Sequence, residues 1–124
     1  MEITKDDIIN ALQTLPDDIA EIETNIMLCQ NIILTNQETL NIMESKIVSE
    51  ISMEKDLVTG KNVYSNAEAR SAELTNRISQ DPRIKILKDG TKEKQEIKTR
   101  HEIRRDQFLR RLEAYNTILR YFSK

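Results

Sequence analysis

The side chains in this sequence that could do chemistry are few, and most of them are cations. Lys92, Lys94, Lys98, Arg100, Arg104, Arg105, Arg110 and Arg111 lie along about five turns of a helix. A helix presenting that many positive charges could track a phosphate backbone. Lys94, Lys98, Arg100, Arg104, Arg105 and Arg111 are therefore the candidate nucleic-acid or partner contacts. Against that reading, Glu93, Glu96, Glu102 and Asp106 are interleaved with them. The aromatics nearby, Phe108, Tyr115 and Phe122, fall at packing spacing and not as a platform for stacked bases. His101 is the sole histidine and Cys29 the sole cysteine, so neither an internal disulfide nor a Cys/His zinc framework can form. The carboxylate pairs Asp17/Asp18 and Glu21/Glu23 suit a helix N-terminus better than acid/base work. There is no glycine-rich phosphate loop, paired-cysteine motif or His-Glu-x-x-His arrangement. No catalytic residue, metal site or cofactor is expected, and the chain reads as a non-enzyme.

The elements that must position these cations are helices. Charged residues make up 32% of the chain and aromatics 4%, with two glycines, two prolines and no tryptophan, a composition suited to long helices with a thin core. At 124 residues one helical domain spanning 1–124 is expected. Thr4-Lys5-Asp6-Asp7 supplies a threonine cap with a carboxylate three residues on. Ile8, Ile9, Leu12 and Leu15 follow as an apolar face, and Pro16 predicts a corner there. A short helix over 4–14 then precedes a long one over 17–56. In the long one, Ile19, Ile22, Ile26, Cys29, Ile33, Asn36, Leu40, Met43 and Ile47 step by alternating threes and fours, the spacing of a coiled-coil seam with Asn36 as a register-setting polar residue. Met27, Leu28, Ile32, Leu34, Ile42, Val48 and Ile51 widen the apolar surface beyond one seam, which predicts a second contact surface filled by the short first helix or by another subunit, with a homo-oligomer as the expected outcome.

A turn is expected over 57–65 around Thr59-Gly60-Lys61-Asn62. Ser65-Asn66-Ala67-Glu68 reads as a capping box with Tyr64 as its staple, opening a helix over 66–79. Asp81-Pro82 starts the last helix, 82–122. Gly90 is its weak point, and Asp89-Gly90-Thr91 is either a passage through a continuous helix or a break with Thr91 capping a new one. Its seam is expected to be Ile97, His101, Arg105, Phe108, Leu112, Tyr115, Leu119 and Phe122. The fold class is thus all-α: two long antiparallel helices in a coiled-coil hairpin with two short helices, packing into an oligomeric bundle. The thickest core is expected at the aromatic end of the last helix.

Charge supports that pairing. Residues 17–55 carry eight acidic and two basic side chains, and residues 81–124 carry seven acidic and thirteen basic. The acidic helix would neutralise the basic one, choosing the partner while the apolar seams supply stability. No run of residues reaches the roughly 20 apolar positions of a membrane span, and the start lacks a signal-peptide layout. A cytoplasmic protein without membrane contact is expected.

The segment from Gly60 to Arg70 resembles a G-K-x-x-Y-S-N-x-E-x-R-like stretch in small helical proteins of phages and prophages, in which an acidic long helix precedes and a D-P-x start to a charged helix follows. The resemblance implies a phage accessory protein, cytoplasmic in its host, acting as adaptor, scaffold or inhibitor of a host factor. It marks Tyr64, Asn66 and Arg70 as candidate turn or partner contacts. A nucleic-acid-binding accessory of phage recombination or replication, using the basic last helix, is the alternative. A third reading is a holdase, because a helical hairpin is similar to the shape of prefoldin subunits.

Overall fold

The structure, a computed structural model, describes residues 2–122. It is all-helical, with α1 over Lys5–Met53, α2 over Ala67–Gln80 and α3 over Pro82–Phe122, of 49, 14 and 41 residues. Among the described residues the sole β feature is an isolated antiparallel bridge between Lys55 and Asn62. No helix of the described residues is long and apolar enough to cross a membrane.

The expected corner at Leu15-Pro16 is absent: α1 runs straight through Pro16. The magnitudes explain why. Proline inside a helix costs about 3 kcal/mol, whereas burying a leucine or isoleucine stabilises by about 1.5–3 kcal/mol each. Ile8, Leu15 and Ile19 are all buried, and with half-buried Leu12 they step by 4, 3 and 4 residues, in phase with the seam that follows. A break at Pro16 would forfeit that continuous face. Pro16 itself is exposed, so the lost hydrogen bond falls on the solvent side of the helix.

Three carboxylates and an asparagine punctuate the helices. Thr4 and Asp7 form the reciprocal box, Thr4 N–H donating to Asp7 Oδ2 at 3.0 Å and Asp7 N–H to Thr4 Oγ1 at 3.2 Å. The cap of α2 is Asn66 and not Ser65: Asn66 Oδ1 accepts from the Ala69 N–H at 2.7 Å, with extended backbone at φ −124°. Asparagine is as good a cap as serine, so the helix starts one residue later than the box predicts. Asp81 closes α2 by donating its N–H to the Ile78 carbonyl, and its side chain accepts the Arg83 N–H at 2.9 Å in the first turn of α3. Its carboxyl is held below the usual value chiefly by the Arg83 side chain. Asp7 is lowered by hydrogen bonds from Thr4, and Asp56 by the N–H groups of Val58 and Thr59. Each of these folded-state pKa values lies below the unfolded one near 3.8. The stabilisation they give is therefore present above that pH and lost as pH falls through the folded values. We expect the melting temperature to be flat from pH 7 to about 5 and to drop below pH 4. Asp81→Asn should flatten part of that acid limb.

The chain divides into two compact units, one of Met1–Asn31 with Lys94–Lys124 and the other of Ile32–Glu93. In the first unit Ile8, Leu15, Ile19, Ile22 and Cys29 are buried. The α3 segment of that unit offers half-buried His101, Phe108, Leu112, Tyr115 and Leu119, so the fully buried side chains of this unit come from α1 and not from the aromatic helix. Phe122, expected to close the seam, is 45% exposed and packs edge-on against the Tyr121 ring, centroids 6.2 Å apart.

In the second unit Ile33, Ile51, Ile84 and Thr91 are buried. There α3 passes unbroken through Gly90, and Thr91 caps nothing: its hydroxyl donates back to the Leu87 carbonyl at 2.8 Å. Thr91 is held in the helix because it sits on the buried face. A Cβ added to Gly90 would meet only Asn36 Nδ2, at 3.8 Å, an ordinary contact. Gly90→Ala should therefore stabilise the fold by about 1 kcal/mol through helix propensity and a less free unfolded chain, seen as a melting temperature raised by a few degrees.

Candidate interaction surface

Heptad spacing divides the candidate cations of α3 into two sets. In the first unit Lys94, Lys98, His101, Arg105, Phe108, Leu112, Tyr115 and Leu119 are half-buried and step by alternating fours and threes. Lys94, Lys98 and Arg105 are therefore part of the packing face, their aliphatic stems covered. Arg100, Arg104 and Arg111 are exposed. Their spacing of four and seven residues puts them on one side of the helix. Six cations in a row reduce to an outward stripe of three.

Phe108 organises that stripe. The guanidinium carbons of Arg104 and Arg111 each lie 5.3 Å from the centroid of its ring, a spacing at which the ring quadrupole attracts a cation. Beside it is a cleft of about 170 Å³ lined by Asp18, Glu21, Ile22, Asn25, His101, Arg104 and Phe108. Asp18 and Glu21 thus stand near Arg104, yet no salt bridge among the described residues joins a carboxylate of residues 17–53 to a cation of residues 92–111. Arg105 pairs within its own helix, with Asp106 at 3.7 Å. The exposed arginines are therefore left without salt bridges to α1 among the described residues. Among the described residues no group of three or more His, Cys, Asp or Glu side chains is placed to hold a metal ion. Cys29 is buried.

The turn candidates are used inside the chain. Tyr64 offers its carbonyl to Arg70 Nη1 at 3.3 Å and its ring to Arg77, whose guanidinium lies 5.8 Å from the centroid. Asn66 is the α2 cap. These three residues shape the start of α2. The residue that sequence reasoning missed is Arg77, which bonds Glu73 at 2.7 Å and Glu54 as well. Those carboxylates raise its pKa above the ordinary arginine value. The Glu73/Arg77 spacing of four was a legible signal; the Glu54 partner, distant in sequence, was not.

The other missed feature is the segment between α1 and α2. Asp56 N–H donates to the Lys61 carbonyl at 2.8 Å and Val63 N–H to the Glu54 carbonyl at 3.0 Å, making a short hairpin in place of an open turn. Asp56 Oδ1 accepts the N–H groups of Val58 and Thr59 at 2.7 and 3.1 Å. Gly60 turns the chain with φ +69°, in the region where glycine is at ease. The tip carries Leu57 and Val58, 103% and 94% exposed. No family model, curated protein or solved structure matches the chain.

Proposed function

We propose that this protein is a non-enzymatic phage or prophage accessory that acts through protein contacts, as an adaptor, scaffold or inhibitor of a host factor, and works as a homo-oligomer. In this reading α1 and α3 pair as an antiparallel coiled-coil hairpin whose outer face meets other chains. The observation that carries it is the second apolar stripe of α1. Met27, Leu28, Leu34, Ile42 and Val48 remain exposed, Ile42 at 71%, and between Thr24 and Met43 the sole charged residue is Glu38. A helix face so poor in charge and rich in aliphatic surface is suited to a protein partner. Light scattering at tens of micromolar tests this, with a dimer or larger species expected. Ile42→Glu should shift the protein towards monomer with its helicity intact. A monomeric wild-type protein would refute self-association, and capture of no host protein in a pull-down would count against the adaptor role.

One observation favours nucleic-acid binding as a second reading: Arg100, Arg104 and Arg111 are exposed, and none of them forms a salt bridge with a carboxylate of α1 among the described residues. Three phosphate contacts would give a salt slope of about −2 to −3. Anisotropy titrations with single- and double-stranded oligonucleotides at two salt concentrations decide it. Submicromolar, salt-steep binding lost in Arg104→Glu with Arg111→Glu would put this reading first.

A further inference from the structure

The outer face of α1 carries one charge, and that charge restricts how two copies of the face can meet. Steps of three and four residues place Leu28, Asn31, Leu34, Thr35, Glu38 and Ile42 on one side of the helix, and all six are exposed. Asn31 and Glu38, two turns apart, lie on the midline of this side, with the aliphatic residues to its left and right. Between Thr24 and Met43 no other residue is charged, and Glu38 forms no salt bridge among the described residues.

A parallel pair in register sets the two Glu38 carboxylates opposite each other, and so does an antiparallel pair centred on residue 38. Like charges in that position oppose association. An antiparallel pair centred between Leu34 and Thr35 removes the conflict, because each Glu38 then faces Asn31 of the second copy, whose amide can donate to a carboxylate. The same centring sets Leu34 against its own counterpart and Leu28 against Ile42 of the second copy. We propose that this protein dimerises through α1 in that antiparallel arrangement, with two Asn31–Glu38 contacts related by the two-fold axis, the isologous geometry commonest in homodimers.

The area suffices for a second copy. Met27, Leu28, Leu34 and Ile42 are 56, 52, 46 and 71% exposed. At about 200 Å² for such a residue in an extended chain, two copies would cover about 900 Å² of aliphatic surface, to which the polar residues of the face add, against the roughly 1,000 Å² of a specific interface. A lipid surface suits the face less well. Residues 17–55 carry eight acidic and two basic side chains, and an anionic bilayer repels such a helix.

The proposal rests on the self-association reading above and gives it a direction and a register. Sedimentation velocity on the full chain tests it with wild type, Ile42→Glu, Glu38→Gln, Asn31→Glu, and Asn31→Glu combined with Glu38→Lys. Circular dichroism establishes that each variant stays helical. Positions 31 and 38 are too far apart on one helix to pair with each other, so an effect of exchanging their charges is an effect between chains. Wild type is expected to dimerise. Ile42→Glu and Asn31→Glu should each raise the dimer dissociation constant about tenfold or more, the second by setting two carboxylates against each other. Adding Glu38→Lys to Asn31→Glu should return it to within about threefold of wild type, because each new glutamate then faces a lysine. Glu38→Gln should change it by about threefold or less, since an amide also pairs with Asn31. A monomeric wild type overturns both the arrangement and self-association. A dimer weakened by Ile42→Glu but unchanged by Asn31→Glu, or tightened about tenfold by Glu38→Gln, overturns the arrangement and leaves self-association through α1 standing. A dimer untouched by Ile42→Glu places the contact on another face and overturns the proposal.

Discussion

Replacing Ile33 by aspartate is expected to unfold the chain at room temperature. Ile33 is 4% exposed, in the core of the second unit. A carboxylate placed there must either stay charged without a partner or take up a proton. Stranding a buried charge costs about 3–5 kcal/mol, to which the lost burial of the isoleucine adds about 1.5–3 kcal/mol. Together these reach about 4.5–8 kcal/mol, against a total stability of about 5–15 kcal/mol for a domain, and a chain with a core this thin falls at the lower end of that range. Far-UV circular dichroism of the variant should show most of the helical signal gone at pH 7. Ile33→Val, which removes one methyl group and adds no charge, should cost about 0.5–1.5 kcal/mol and keep the fold. Full helicity in the aspartate variant would mean that position 33 is not in the core.

Truncation of Ile84 should have the next largest effect. It is 1% exposed and one of the most completely buried side chains, with Ile51 its equal in the same unit. Ile84→Ala removes the apolar contact of the first α3 turn and leaves a cavity, for a cost of about 2–5 kcal/mol. Ile86 provides the control, because it lies two residues away on the same helix and is 70% exposed. Ile86→Ala should change stability by less than about 0.5 kcal/mol, and helix propensity even favours the alanine slightly. Urea melts of the two variants separate burial from residue type. Equal costs would show that the two faces of α3 are not distinguished as described.

Much of the fold was legible in local signals. The alternating threes and fours of α1 from Ile19 onward coincide with its buried and half-buried positions. The Thr4–Asp7 box and the Asp81-Pro82 start are present where they were read. Such features depend on residues within one helical turn of each other, which is the range over which a sequence can be read directly. Pro16 reads as a corner only while its local cost is set apart from the burial on either side of it. The spacing of Ile8, Leu12, Leu15 and Ile19 already contained the answer.

The candidate surface was less legible. Sequence alone determined that the chain is helical, that one histidine and one cysteine are too few for an internal disulfide or a Cys/His zinc framework, and that cations gather between Lys92 and Arg111. Only the tertiary structure decided that Lys94, Lys98 and Arg105 are half-buried while Arg100, Arg104 and Arg111 are exposed. It likewise decided that Tyr64 meets Arg77, that Glu54 reaches the same arginine, and that Leu57 and Val58 stand clear of their own chain. The physical reason is range: periodicity and capping are set by neighbours three or four residues away, whereas the side of a helix that a long cation covers is set by what packs against it from elsewhere in the chain.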